Sequence, residues 1–297
     1  MKVAITGSTG LLGRALGERL EARGDEAVRI ARGAAGADGV DWAPAEGWVR
    51  EGAFAGCDAV LHLSGASVGE GRWTDARKAE LRSSRIDTTR VLVEHLAGLD
   101  PKPRRLVVAS AVGFYGDRGD ETVTEQSARG EGFLADMTVD WEAESEKGNA
   151  AGIPTAMARY GVVFANDAAA FKRLTLPFRF GAGGRLGSGR QWMPWITLDD
   201  AVAATTHLLD SDTTGPVNVV APVTITNADL TRALGRVMRR PAFMMVPRFA
   251  MRLALGELAD ALLFASLRVV PERLAADGFE FSQPEAEGAL RSLLRGD

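Results

Sequence analysis

Cysteine is almost absent from this sequence. Cys57 is the only one in 297 residues, so no intrachain disulfide can form, and a reducing compartment fits. Cys57 stands just before an apolar run and reads as a small core residue rather than a reactive thiol. A positive excess is also missing: 35 Lys and Arg stand against 39 Asp and Glu, a net charge of −4. A general nucleic-acid binder carries a basic balance that this chain lacks. No apolar stretch reaches the roughly 18 residues that a membrane span requires. The longest apolar region, 249–270, is broken by Arg252, Glu257, Asp260 and Arg268, and reads as an amphipathic helix packed on a lobe. No charged leader with an apolar run and cleavage site stands before the first strand. The expectation is a cytoplasmic protein with a small-molecule substrate and no nucleic-acid or membrane partner, a homo-oligomer being left open. Histidine is scarce too. His62 has no partner at metal-ligand spacing, since His95 and His207 lie far off, so it reads as a satisfied core histidine and no metal site is expected.

Alternating strand and helix patterns fill the first 165 residues. Strand candidates are 2–6, 27–31, 40–42, 59–63, 105–110 and 155–163. Leu12, Ala15, Leu16 and Leu20 mark one apolar helix face, and 74–96 and 133–146 read as further helices. Such alternation implies βαβ crossovers and a parallel sheet. Beyond it come a glycine-dense loop at 181–190, a helix candidate at 195–209, a strand at 216–220, then helices with one short strand at 278–281. The expected fold is α/β, a Rossmann-type doubly wound parallel sheet with a small, mainly helical C-terminal lobe. Residues 1–164 and 195–222 would form the nucleotide domain, and 165–194 with 223–297 the substrate-side lobe.

Gly7, Gly10 and Gly13 stand in G-x-x-G-x-x-G spacing between the first strand and an amphipathic helix. That context is what dinucleotide binding requires. The first glycine permits a tight turn, the second a close backbone approach to a pyrophosphate, and the third close helix packing. The helix N-terminus offers free N–H groups to phosphate. The second strand ends in Ile30-Ala31-Arg32 with no Asp or Glu to hold a ribose 2′-hydroxyl. A guanidinium at Arg32 suits a 2′-phosphate, which favours NADP(H) over NAD(H). A solvated surface arginine is the alternative. The fourth strand ends in His62-Leu63-Ser64-Gly65-Ala66, whose small residues let the backbone pass close to adenosine.

The segments TGSTGLLG, AVLHLSGA, VVASAVGFYG and SRIDTT resemble the short-chain dehydrogenase/reductase superfamily in its extended or atypical branch. GRWTDARKAELRSSR, GAGGRLGSGRQWMPWITLDD, GPVNVVAP and VVPERLAADGFEF are similar to its epimerase-like family of NAD(P)-dependent proteins with a small C-terminal domain. The resemblance implies a substrate cleft under that lobe. It implies cofactor contacts from Gly7, Thr9, Gly10, Leu11, Leu12, Gly13, Arg32, Leu63, Ser64, Gly65, Glu80, Arg85 and Val162, with Ser110 near the nicotinamide. The superfamily's usual Tyr-x-x-x-Lys pair is missing. The helix that should carry it reads FLADMTVDWEAESEK, with Thr138 and Glu142, or Met137 and Trp141, at those positions. A neighbouring lysine is what lowers a tyrosine pKa toward use as a proton shuttle. Tyr115, five residues past Ser110, is the best substitute, or else an aromatic wall of the pocket. Glu142 reads as a solvated helix carboxylate, or as a base if buried.

On the substrate side, Arg190, Trp192 and Trp195 follow flexible glycines, and Arg72 and Trp73 stand before the long helix. Both groups suit a planar or anionic ligand. A structural turn and a helix cap are the alternatives. Three functions fit this reading: an NADP(H)-dependent oxidoreductase or epimerase-like enzyme acting on a small carbonyl or hydroxyl compound, a non-catalytic NADP(H)-binding sensor, and a nucleotide-sugar epimerase or dehydratase.

Overall fold

Strand β1 (Lys2–Thr6) splits its side chains between two cores, as the pleat dictates. In the computed structural model, which describes residues 1–295, Val3 and Ile5 face one cluster and Ala4 the opposite one. Helix α1 (Leu11–Ala22) covers the first face with Leu16 and Leu20. β2 (Glu26–Ile30), β3 (Ala59–His62), α2 (Asp75–Ala97), β4 (Arg105–Ala111), α3 (Phe133–Ala150) and β5 (Thr155–Tyr160) follow in alternation. Then come α4 (Ala169–Arg179), α5 (Leu198–Asp210), β6 (Gly215–Val219), α6 (Asn227–Met238), α7 (Arg248–Leu255) and α8 (Ala286–Arg295). Helices α1 and α5 pack on one face of the sheet, α2 and α3 on the other.

All six strands are parallel, in the order β6-β5-β4-β3-β1-β2. From β1 the chain steps one way to β2, then crosses to the other side for β3. The carboxyl ends of β1 and β3 therefore form the topological switch point, where open α/β sheets bind ligands. Smaller strand pairs and helices beyond β5 build a third apolar cluster with Phe164, Phe171, Trp195 and Leu230. Partly buried Leu11, from the first turn of α1, packs against it.

Several expected elements take a different form. Residues 40–42 are no sheet strand. Trp42–Ala43 pairs with Trp48–Val49, and Trp42 meets the end of β2 through one bridge to Arg32. Its indole is buried edge-on against His62, so the apolar signal reported side-chain burial and not sheet pairing. The run 155–163 breaks at Gly161, and Val162–Phe164 pairs instead with Trp195–Thr197, which precedes α5 rather than joining it. Part of the glycine-dense loop is a strand, Gly184–Leu186, paired with Met244–Val246. A Cβ on Gly184 would lie 2.3 Å from the Met244 carbonyl oxygen, so only glycine allows this approach. The long amphipathic helix of 249–270 is α7 followed by a break at Gly256, a π-helical turn (Asp260–Phe264) and a strand, Arg268–Val269. No strand forms at 278–281. Phe279 and Phe281 pack on the core while Asp200 accepts from the amides of Ser282 and Gln283, so the segment is held without a sheet partner. No helix among the described residues is long and apolar enough to cross a membrane.

Candidate functional site

At the switch point the surface is nearly all main chain. Gly7 adopts φ +68°, and a Cβ there would come within 2.7 Å of the Leu63 carbonyl carbon and oxygen and 2.9 Å of the Ser64 nitrogen. A Cβ on Gly13 would strike the Gly7 carbonyl oxygen at 2.3 Å. Two glycines are thus fixed by close packing of the loop against β3's exit and against α1. Gly10 is less hemmed in: its Cβ would meet a single atom, the Gly7 oxygen, at a tight 3.2 Å. Gly10 is also the N-cap of α1. No side chain caps the helix, its first turn holds no acidic residue, and its first hydrogen bond runs from Arg14 N to Gly10 O. The amides of Leu11, Leu12 and Gly13 are therefore left for an external acceptor, beside a positive dipole end. A cradle that any side chain would fill, lined by orphan amides, suits a diphosphate.

The remaining cofactor candidates divide. Thr9 is exposed, and its carbonyl accepts from Arg14. Leu12 faces the sheet core and Leu11 the C-terminal cluster. Leu63 is partly buried and Ser64 buried beside Gly7. Arg85 reaches from α2 under Gly65, donating to the carbonyls of Ala66 at 2.8 Å and Leu81 at 3.1 Å. Burial, then the nearby Arg77, pushes its pKa down to about 10. Glu80 lies on the exposed side of α2, paired with Arg77 at 2.6 Å. Val162 packs against the C-terminal cluster. Arg32 stands exposed at the end of β2. Sequence reading missed its neighbour: the returning loop brings the Asp41 carboxylate to the amide of Ala31 at 2.8 Å, where Arg50 also binds it. An acid does stand beside the end of β2, already neutralised by Arg50. Eight residues of loop separate it from Arg32, so no local spacing announced it.

His62 is satisfied. Its ring nitrogens lie 2.7 Å from Thr6 Oγ1 and 3.1 Å from Thr89 Oγ1, and Trp141 Nε1 donates to the same threonine. Burial pushes its pKa down to about 3, so the ring is neutral.

The Ser110 region is a closed polar network. Ser110, 5% exposed, donates its hydroxyl proton to Glu142 Oε1 at 2.5 Å. Glu142, 9% exposed, is gripped by Arg159 through Nε at 2.8 Å and Nη2 at 2.6 Å. Arg159 Nη1 donates to the Tyr115 hydroxyl at 2.9 Å, and Tyr115 donates to Asn218 Oδ1 at 2.7 Å. The guanidinium also lies 3.6 Å from the Phe114 ring centroid. Burial opposes the charge of Arg159, but the Glu142 carboxylate outweighs it and holds the guanidinium above its ordinary value. Burial pushes the Tyr115 phenol up. The expectation of a solvated Glu142 is therefore corrected: α3 turns this carboxylate inward because Arg159 on β5 waits for it. At the other candidate position, Thr138 is buried and returns its hydroxyl proton to the Leu134 carbonyl. A serine has one proton to give. That proton is committed to Glu142, and Ser110 is left as an acceptor.

The substrate-side candidates do not converge. Trp195 is buried, stacked on Phe164, with its Nε1 bound to the Val223 carbonyl. Trp73 is buried against Phe133 and donates to the Val68 carbonyl. Trp192 is half-buried, donating to Asp120 and covered by Arg268. Arg190 is exposed. Arg72 is exposed too, and its guanidinium donates to the Leu253 carbonyl in α7, while Arg173 of α4 donates to Gly69. The loop after β3 is thereby fastened to two helices of the C-terminal region.

Residues 3–221 match the family described as the NAD dependent epimerase/dehydratase family. The chain belongs to that family. Residues 246–293 match a domain of unknown function that is found after it here. An epimerase family protein of Mycobacterium bovis, Mb2239, is 41% identical over 94% of this chain and 93% of its own length. The Bacillus subtilis relative YfhF is 35% identical over 99% and 98%. Among solved structures, human epimerase family protein SDR39U1 with NADPH superposes with a TM-score of 0.87 at 30% identity, covering 99% of both chains. A nucleoside-diphosphate sugar epimerase from Corynebacterium glutamicum has a TM-score of 0.81 at 32% identity, covering 100% of this chain and 59% of that one. An NAD(P)-binding Rossmann-type, epimerase-like protein is thus established, as the sequence motifs implied.

Proposed function

We propose that this protein is an NADP(H)-dependent oxidoreductase or epimerase-like enzyme acting on a small carbonyl or hydroxyl compound. One observation carries the reading: the glycine cradle of Gly7, Gly10 and Gly13 opens uncapped amides at the switch point, in a chain whose whole length is similar to a protein solved with NADPH. The amides of Leu11, Leu12 and Gly13 would hold the diphosphate, and Arg32 the 2′-phosphate. The cofactor, when bound, supplies or removes a hydride. Ser110 orients the reacting oxygen as an acceptor, which favours a substrate presenting a hydroxyl over one presenting a carbonyl. Tyr115 assists indirectly, by fixing Arg159 and so Glu142.

Calorimetry with NADPH and NADH tests the cofactor half. Arg32→Ala should weaken NADPH at least about tenfold and leave NADH unchanged. Equal losses for both would remove Arg32 from the phosphate site. Ser110→Ala should lower turnover on an alcohol and ketone panel with NADPH affinity intact. A second reading, a non-catalytic NADP(H) sensor, is favoured by the committed Ser110 proton and by the Thr138 hydroxyl, which spends its proton on the Leu134 carbonyl. No turnover on that panel, together with a large affinity difference between NADPH and NADP+, would select it. The third, a nucleotide-sugar epimerase or dehydratase, takes support from the Corynebacterium neighbour's name, and UDP-sugars belong in the same panel.

A further inference from the structure

Two segments of the C-terminal region carry an unusual combination of charge and exposed apolar side chains. Residues 168–192 contain five Lys and Arg and no Asp or Glu, and residues 230–256 contain six and none, in a chain of net charge −4. The two segments meet, since Gly184–Leu186 pairs with Met244–Val246 and Gly181 lies against Pro241. Asp229, Glu287 and Asp260 answer four of these arginines. Among the described residues, Lys172, Arg179, Arg185, Arg190, Arg239 and Arg240 are exposed without an acidic partner. On the same two segments Phe180 (80% exposed), Phe243 (83%), Phe249 (72%) and Leu253 (79%) are exposed, with Met244 and Met245. Phe249 and Leu253 stand one turn apart on α7, a helix that buries none of its residues.

We infer that this face docks on an anionic lipid bilayer. Side chains exposed to this degree protrude; those lining a groove for a peptide or helix would be more covered. Protruding aromatic and aliphatic groups accompanied by cations on the same segments are what the headgroup and acyl boundary of an acidic membrane receives. A second copy of the chain fits poorly, because a two-fold contact would set this cationic face against itself. A chain whose apolar runs are too short to cross a bilayer can still lie against one. Docking this way would place the fastened loop at Arg72 beside the lipid surface, since Arg72 donates to Leu253 in α7.

The test is flotation of the full chain with vesicles of phosphatidylcholine alone and of phosphatidylcholine mixed with phosphatidylserine. Binding is expected only to the mixed vesicles, and it should weaken as salt screens the charge. Phe249→Asp combined with Leu253→Asp should lower partitioning by more than about tenfold while melting and NADPH affinity stay unchanged. Arg179→Glu with Arg239→Glu gives an independent readout that leaves the apolar groups in place, and it should also reduce binding. No flotation with the mixed vesicles at low salt would overturn the proposal and leave an acidic protein as the partner of this face. A concentration-dependent dimer abolished by the α7 variant would overturn it in favour of self-association. Equal binding to both vesicle types would also overturn it.

Discussion

The two ends of β1 and β4 present opposite solutions to a polar problem. Beyond β1, the surface is bare main chain: glycines and uncapped amides. Beyond β4, everything is side chain, with Ser110, Glu142, Arg159, Tyr115 and Asn218 linked through buried hydrogen bonds. The first region leaves its donors unmet and so awaits a ligand. The second meets its own needs and so orders the protein. An orphan polar group marks a binding surface better than a cluster of chemically attractive side chains does.

That contrast can be broken most forcefully at Glu142. Glu142→Ala would leave the Arg159 guanidinium buried without its carboxylate, and should cost about 3–5 kcal/mol in denaturant unfolding. A loss below about 1 kcal/mol would show that water already reaches the pair. The main-chain side is probed by Gly13→Ala. Its methyl group must displace the Gly7 carbonyl, so NADPH binding should disappear at concentrations that saturate the native protein, and overpacking should cost about 1–3 kcal/mol. Retained affinity would mean that the loop yields easily. The most gradual effect, spread over several pH units, concerns the satisfied histidine beneath the loop. His62 has its folded pKa pushed down to about 3 from 6.5. The unfolded chain takes up the proton first, so its stabilisation is complete above pH 6.5 and is lost as pH falls toward 3. The slope is about 1.4 kcal/mol per pH unit. In His62→Gln, the stability curve between pH 6.5 and 3 should be flatter by that amount; an unchanged curve would place the acid sensitivity elsewhere.

How much of each region was legible in the sequence follows from how local it is. Gly7, Gly10 and Gly13 span two turns of chain, and their spacing carries the geometry, so the cradle and the parallel sheet were readable. The Ser110 network joins residues from two strands, a helix, a 3-10 turn and β6, and only the fold sets Arg159 opposite Glu142. An isolated glutamate in a helix looks solvated until the strand beneath it is known. The same blindness hid Asp41, which returns to β2 across a loop. Trp73 and Trp195 misled for a related reason: indoles beside arginines suggest a ligand, whereas both rings fill apolar cores and satisfy their N–H groups on backbone carbonyls. The breaks at Gly161 and Gly256 cut long apolar runs into short elements that periodicity alone would have joined.

Leu11 has a position with a mechanical meaning. It opens the helix whose uncapped amides face the switch point, yet its partly buried side chain packs against the apolar cluster that holds Phe164, Phe171 and Trp195. Whatever stiffens that first helical turn therefore also steadies the distant half. The two halves of the molecule share one anchor, and a dinucleotide seated on one side of it should make both melt together, as one cooperative body.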